Sequence, residues 1–202
     1  MKEFVSAEIQ KKRIAVLVSG GGTNLQALIN AEQCGVLKSG KIVLVVSHNP
    51  NAYALKRAKD ADIETCLIEG PDFENRLQAE LDEKSIDLII LAGFMRILSS
   101  EFTSRYPKRI LNVHPALIPS FCGKGYYGLR VHEAALARGV KITGATVHFV
   151  NEIPDGGEII MQKGVPVLPG DTPELLQRRV MEEAEWIILP QAAEIVSRGE
   201  LS

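Results

Sequence analysis

Residues 13–29 have the sequence RIAVLVSGGGTNLQALI, which contains the first clear change from one secondary structure to another. Residues 13–18 are almost wholly apolar, which predicts a strand buried on both faces. Three glycines follow, and then Leu25, Leu28 and Ile29 recur at the spacing of an amphipathic helix. The order is therefore strand, glycine turn and helix, which is the opening unit of an α/β fold.

The same alternation continues to the end of the chain. Apolar or β-branched runs predict further strands at 42–46, 64–68, 88–92, 109–114, 143–150 and 158–165. Helical patterns follow the glycine turn and then occur at 52–61, after Pro71, and at 99–106, 129–138 and 172–197. Asp72 is predicted to cap the helix after Pro71, and Pro173 to occupy the first position of the last helix.

The strands show little polar alternation, so we expect a mostly parallel sheet with helices on both faces. Residues 151–157 resemble a hairpin turn between the last two strands, which would add an antiparallel edge. The pattern therefore predicts one doubly wound, Rossmann-like α/β domain over residues 1–202, with residues 1–12 as a flexible N-terminal extension.

Composition excludes several classes of protein. The chain has 202 residues, 46% hydrophobic and 24% charged, with a net charge of −2, so nothing favours nucleic acid or a membrane surface as partner. The longest apolar stretch, 88–95, is far shorter than the roughly 20 residues of a membrane helix. The N-terminus has no signal-peptide pattern, and the three cysteines are odd in number and widely spaced. We expect a cytoplasmic protein without disulfides or zinc.

The turn after the first strand is the first candidate site. In a doubly wound sheet, ligands bind beyond the carboxyl ends of the strands. Glycines at 20–22 would let successive N–H groups and the start of the next helix face one anion, so a phosphate is the expected ligand. A dinucleotide is disfavoured, because Leu25 replaces the third glycine and Ser47-His48 replaces the ribose-binding acid. The alternative is a turn that only connects strand to helix.

The second candidate site lies at the end of the fifth strand. Asn112 and His114 are two residues apart, so they point to the same side of a strand. An imidazole can move protons near neutral pH, and an amide can stabilise an oxygen that gains negative charge. The pair therefore suits acyl-type transfer, although a purely structural histidine is the alternative.

His148 and Asp155 form the third candidate, with Asp155 in the turn Pro154-Asp155-Gly156-Gly157. Asp before Gly is common in ordinary turns, which is the competing interpretation. A carboxylate close to His114 would raise the pKa of that imidazole and make it a better proton donor. We expect His48 and His132 to be structural or exposed. No residues have metal-ligand spacing, and no G-x-S-x-G motif is present.

Four ordered motifs together resemble one family. They are SGGGTNLQ at 19–26, LAGFMRIL at 91–98, NVHPALIP at 112–119 and TVHFV with DGG at 146–157. They resemble the phosphoribosylglycinamide formyltransferases, the folate-dependent enzymes of purine biosynthesis. The similarity runs from about Arg13 to Leu201. It implies the formyltransferase fold and direct transfer of a formyl group from 10-formyltetrahydrofolate to the amine of glycinamide ribonucleotide through a tetrahedral intermediate, without a metal.

The resemblance also assigns roles to individual residues. The phosphate of glycinamide ribonucleotide would bind to Gly22, Thr23 and Asn24. The reacting residues would be Asn112, His114 and Asp155, supported by His148. Glu185 would contact the substrate amine. Folate would contact Met95, Arg96, Ile97, Leu98, Asn112, Asn151, Glu152, Ile153, Pro154 and Asp155.

Three features depart from the family pattern. Residues 121–128 look longer than the corresponding loop, an extra residue precedes Glu185, and an arginine for the folate glutamate tail is replaced near Gly70. Related families offer alternatives: formyltetrahydrofolate hydrolases and methionyl-tRNA formyltransferases share the chemistry but are usually longer. A non-enzymatic nucleotide-binding module is the remaining alternative. The sequence leaves monomer and homodimer open.

Overall fold

The computed structural model describes residues 10–201 and contains a seven-stranded sheet. The strands are β1 (Lys12–Val18), β2 (Gly40–Ser47), β3 (Glu64–Leu67), β4 (Leu88–Leu91), β5 (Ile110–His114), β6 (Ile142–Phe149) and β7 (Ile159–Pro166). Their order in the sheet is β3-β2-β1-β4-β5-β6-β7. The first five are parallel, while β6 and β7 run antiparallel at one edge. The predicted fold class is therefore confirmed.

Helices cover both faces of the sheet. They are α1 (Thr23–Gln33), α2 (Tyr53–Asp60), α3 (Phe73–Glu83), α4 (Ser100–Ser104), α5 (Leu129–Arg138), α6 (Pro173–Val180) and α7 (Trp186–Ser197). Side chains of β1 alternate between two apolar clusters: Val16 belongs to one, and Leu17 belongs to the other. Both are fully buried, and such burial contributes about 1.5–3 kcal/mol per side chain. Because both faces of β1 pack against an apolar cluster, its sequence does not alternate between apolar and polar residues.

The last helix differs from the prediction of one helix over 172–197. A π-helical segment, Met181–Glu185, separates α6 from α7; we refer to it as the π turn. A π turn holds one residue more than the α-helix around it. The extra residue that the resemblance implies near Glu185 would fit such a turn. At the start of α6, Thr172 accepts a hydrogen bond from the Leu175 N–H, and Pro173 is the first helical residue as expected.

Two smaller expectations also need correction. Asp72 precedes α3, but its side chain makes no capping hydrogen bond to the backbone and instead accepts from the Asn75 side chain. Of the predicted extension 1–12, residues 1–9 lie outside the described part of the chain, and Lys12 already belongs to β1.

Candidate functional site

The candidate residues gather where strand order reverses, between β1 and β4. The chain fills the sheet from β1 toward β3, then crosses to β4 and continues toward β7. At such a switch point the loops after neighbouring strands diverge and leave a crevice beyond their carboxyl ends. Residues 19–24 follow β1, residues 92–98 follow β4, and His114 ends β5. The sequence motifs therefore lie together at the carboxyl ends of the parallel strands.

The glycine turn after β1 has the geometry of an anion site, as predicted. Gly22 adopts a left-handed conformation with φ +72°, and α1 begins at the next residue, Thr23. A Cβ on Gly22 would lie 2.6 Å from the Cβ of Ala54, so only glycine fits without movement. The N–H groups of the first turn of α1 have no intrahelical partners and carry the positive end of the helix dipole.

Two sets of hydrogen bonds hold this turn, and one of them comes from Arg57, which was not predicted from the sequence. The Arg57 guanidinium donates through Nε to the Gly21 carbonyl at 2.8 Å and through Nη1 to Gln26 at 3.0 Å. The Met95 N–H donates to the Ser19 hydroxyl at 2.8 Å, which ties the segment after β4 to the turn after β1. Arg57 lies on α2 without any local motif, so its role depends on a fold that only the structure reveals.

The π turn brings its first and last residues onto the start of α1. Thr23 Oγ1 lies 3.9 Å from Met181 Sδ, and the Asn24 amide donates to Glu185 Oε2 at 2.7 Å. Glu185 is only 6% exposed, and burial raises its pKa to about 7, partly offset by the hydrogen bond from Asn24. Asn24 Oδ1 is buried and has no partner among the described residues. The structure thus places Glu185, predicted for the substrate amine, against Asn24, predicted for the phosphate.

The predicted reacting residues form one connected group. Asp155 Oδ2 lies 3.5 Å from His114 Nδ1, and Asp155 Oδ1 lies 3.6 Å from His148 Nε2. The Asn112 amide nitrogen lies 3.2 Å from the same His148 nitrogen. Asn112 and His148 are direct neighbours on β5 and β6, whereas Asp155 comes from the loop between β6 and β7. Asp155, from the loop, therefore contacts histidines that two neighbouring strands position.

A hydrogen bond to a backbone carbonyl places one proton on each imidazole ring. His148 Nδ1 lies 2.7 Å from the Phe149 carbonyl, which can only accept, so Nδ1 carries the proton. His148 Nε2 faces the Asn112 amide nitrogen at 3.2 Å and Asp155 Oδ1 at 3.6 Å, and at least one N–H of the Asn112 amide is left for another acceptor. His114 Nε2 donates to the Phe121 carbonyl at 2.8 Å while its Nδ1 faces Asp155. Both sides of the His114 ring thus face oxygen acceptors.

The pKa of His114 departs from the sequence expectation. Asp155 and the Phe121 carbonyl do raise this pKa, but burial outweighs them, and the net shift is downward. The expected effect of the carboxylate is therefore present, but burial of the ring, which only the structure shows, is larger. Burial works to raise the pKa of Asp155, yet the His148 hydrogen bond, the His114 charge and the Gly123 N–H together lower it. The carboxylate remains ionised at neutral pH.

Residues 121–123 hold this group from the outside. The Phe121 carbonyl contacts His114, and the Gly123 N–H donates to Asp155 Oδ2 at 2.8 Å. Phe121 has a left-handed φ of +50°, and its ring packs against the larger apolar cluster. Sequence analysis recorded this segment only as a long loop, since backbone groups leave no signature in side-chain motifs.

The residues predicted to contact folate lie in two loops. In the first, Met95 and Ile97 are exposed, Leu98 is buried, and the Arg96 guanidinium lies 4.5 Å from the centre of the Phe73 ring. In the second, the exposed residues Glu152, Ile153 and Pro154 precede Asp155, and Asn151 Oδ1 accepts from the Ile153 N–H at 3.0 Å. Exposed apolar side chains beside the reacting group suit a flat organic ligand.

Residues 10–201 contain neither a metal-binding cluster nor a helix that could span a membrane. No cluster of three or more His, Cys, Asp or Glu side chains in this range could hold a metal ion. Within the same range, every helix is too short or too polar to cross a membrane.

Comparisons with known proteins agree with this architecture. Residues 12–193 match the formyl transferase family. A phosphoribosylglycinamide formyltransferase of Haemophilus influenzae is 41% identical over 196 residues, covering 94% of this chain and 89% of that protein. A crystal structure of glycinamide ribonucleotide transformylase 1 from Symbiobacterium toebii has a TM-score of 0.88 and 39% identity, covering 95% of this chain and 90% of that one.

A second kind of relative is much longer. The human trifunctional purine biosynthetic protein adenosine-3 is 44% identical over 200 residues, which are 96% of this chain but 19% of that protein. The chain therefore spans about a fifth of the length of these trifunctional relatives.

Proposed function

The chain belongs to the formyl transferase family, and from this membership we propose that it transfers the formyl group of 10-formyltetrahydrofolate to the amine of glycinamide ribonucleotide. The observation that carries the proposal is the contact between His114 and Asp155 beside Asn112, on the sheet edge that also holds the anion site. Such an arrangement can bind a phosphate and handle a proton in one crevice.

We propose that each substrate binds to a separate part of this crevice. The ribonucleotide phosphate binds the N–H groups at Gly22, Thr23 and Asn24. The substrate amine donates to Glu185 and to the free oxygen of Asn24, both of which are buried acceptors. Folate lies against Met95, Arg96, Ile97 and Leu98 and under the loop of residues 151–155. The formyl carbon then lies between the amine and Asn112.

The proposed reaction needs no nucleophilic side chain. The amine attacks the formyl carbon, a C–N bond forms, and the formyl oxygen becomes negative. The free N–H of Asn112 donates to that oxygen. The proton lost by the amine passes through a bound water to His114, which Asp155 stabilises as an imidazolium. As the bond to folate N10 breaks, the proton moves to N10 and the carbonyl reforms.

The lowered pKa of His114 suits this role. The ring is largely neutral at pH 7 before substrates bind, so it can accept the proton. Asp155 is already ionised and can stabilise the positive ring without a proton of its own. The pair therefore acts first as a base and then as an acid, and the enzyme returns to its starting state after each turnover.

One assay distinguishes the candidate functions. The protein is mixed with 10-formyltetrahydrofolate, with or without glycinamide ribonucleotide, and release of tetrahydrofolate is followed. Release that requires the ribonucleotide supports the proposal. Release in buffer alone indicates a hydrolase. In a third mixture that contains methionyl-tRNA instead of the ribonucleotide, release indicates the tRNA formyltransferase, and no release in any mixture indicates a binding module. His114→Ala serves as the matched inactive control, because it leaves the anion site untouched.

We further propose that residues 1–202 form one domain with this activity and that it works in the cytoplasm as a monomer or homodimer. Small anionic substrates, rather than nucleic acid or a membrane, are the expected partners, since the net charge is −2. The proposal concerns this domain alone, because the trifunctional relatives contain much more sequence.

A further inference from the structure

Thr146 lies at the centre of a buried polar network behind the reacting group. Its side chain is fully buried and lies directly opposite His114 in the ladder between β5 and β6. The hydroxyl donates to the Ala116 carbonyl at 2.7 Å, and it accepts from the Ile118 N–H at 3.0 Å and from Gln162 Nε2 at 2.9 Å. A hydroxyl has one donor and two acceptor sites, so every site is used.

Gln162 extends the same network from the neighbouring strand. It lies opposite Thr146 in the ladder between β6 and β7. Its amide nitrogen also donates to the Ile118 carbonyl at 3.0 Å. The residue Ile118 is therefore held at its N–H by Thr146 and at its carbonyl by Gln162. Side chains of two strands together fix a segment that has no helix or strand of its own.

This fixed segment leads directly to the groups that hold the reacting pair. The Ser120 N–H donates to the Leu117 carbonyl at 2.9 Å, which closes a turn just beyond Ile118. Just after this turn, the Phe121 carbonyl accepts a hydrogen bond from His114, and the Gly123 N–H donates one to Asp155. The orientation of both reacting side chains thus depends on where residues 116–118 are held.

We propose that Thr146, assisted by Gln162, is a positioning residue for the reaction. It touches neither substrate and acts through the backbone of residues 116–123 on His114 and Asp155. The inference rests on the proposed function. Loss of the hydroxyl leaves the Ala116 carbonyl and the Ile118 N–H unpaired in the interior, so this segment must move, and the Phe121 contact moves with it.

Thr146→Val tests the proposal, since it removes the hydroxyl and keeps the shape. We expect kcat to fall about tenfold to a hundredfold, because catalytic groups tolerate little misplacement. KM for the ribonucleotide should stay near its wild-type value, because the anion site is on β1 and α1. Thr146→Ser keeps the hydroxyl and should restore most of kcat.

Thr143→Val is the matched control. Thr143 lies on the same strand and is also buried, but its hydroxyl has no partner among the described residues. The same change there should leave kcat unaltered. If Thr146→Val behaves like Thr143→Val, the proposal is overturned. If Thr146→Val does not fold, Gln162→Leu takes its place, because Gln162 is an exposed edge residue. A wild-type kcat in folded Gln162→Leu then overturns the proposal.

Titration of the His114 ring by NMR provides a readout independent of turnover. The Phe121 carbonyl raises the pKa of His114, so weakening that contact should lower this pKa further in Thr146→Val. An unchanged His114 titration in a folded Thr146→Val protein contradicts the inference. Absence of ribonucleotide-dependent release by the wild type contradicts the proposed function instead, and the two failures are therefore distinguishable.

Discussion

Two buried titratable groups should give this protein opposite pH dependences that partly cancel. Glu185 is almost fully buried against Asn24, and burial raises its pKa to about 7. His132 on α5 is fully buried, both ring nitrogens lack partners among the described residues, and burial, aided by His114, lowers its pKa to about 4. We predict that replacing either residue exposes the pH dependence of the other.

For Glu185, the folded pKa lies above the unfolded value of 4.5. The unfolded chain therefore releases its proton first, and stability decreases as pH rises from about 4.5 to 7. A shift of this size makes the buried carboxyl about 2–3 kcal/mol more costly at pH 8 than at pH 5. Glu185→Gln, which cannot ionise, should gain that amount over the wild type between the two pH values.

For His132, the folded pKa lies below the unfolded value of 6.5. The unfolded chain binds its proton first as pH falls, so stability decreases from pH 6.5 down to about 4. The loss is about 2 kcal/mol between pH 8 and pH 5. His132→Leu should gain that amount over the wild type at pH 5. His48 and His114 also have lowered pKa values and act in the same direction in every variant that retains them.

Urea unfolding at pH 5 and pH 8 checks both values in the wild type, the two single variants and the double variant. For each variant, the free energy of unfolding of the wild type is subtracted at the same pH. The contributions of titratable groups that both proteins share then cancel. The reasoning is refuted if the Glu185→Gln difference fails to grow with pH, or if the His132→Leu difference fails to grow as pH falls. The double variant should show the sum of the two single effects, since neither the contacts of Glu185 nor those of His132 include the other residue.

Three other predictions concern the site. His114→Ala or Asp155→Asn should lower turnover by a factor of about 10² to 10³ while calorimetric binding of the ribonucleotide is preserved, and near-normal turnover would contradict their roles. Gly22→Ala should cost about 1–3 kcal/mol in urea unfolding and raise KM for the ribonucleotide, whereas Gly20→Ala, where a Cβ meets nothing within 4 Å, should do neither. Deletion of Glu183 should leave one continuous α-helix with stability within about 1 kcal/mol of the wild type, and unfolding of that variant would show that the π turn is required.

Elements set by local pattern were predictable from sequence. Helix α5 occupies the predicted residues 129–138, and the predicted strands differ from the observed ones by at most two residues at either end. The reason is physical, because alternate side chains of a buried strand pack into two cores and so must all be apolar. The placement of Asn112 and His114 together was also predictable, because residues two apart in a strand face the same side of the sheet.

The π turn was beyond such patterns. Its residues have ordinary helical composition, so nothing local separates them from the α-helix on either side. One signal was present: Leu176, Val180 and Ala184 are buried at a spacing of four, and Ile188 continues that spacing. Four exceeds the 3.6 residues of an α-turn, so the buried face would rotate away from the core unless one turn held an extra residue. This spacing, rather than composition, is the feature that locates the π turn.

The electrostatics of the site depend on burial, which sequence does not record. Proximity of Asp155 to His114 was predicted, but the sign of the net pKa shift was not, because burial of the ring outweighs the carboxylate and the Phe121 carbonyl. Backbone geometry sets two further contacts of the site: a left-handed Phe121 aims a carbonyl at His114, and the π turn leaves Glu185 against Asn24. Neither contact follows from a side-chain motif, because each depends on how the fold places one backbone segment against another, and sequence alone therefore could not reveal either.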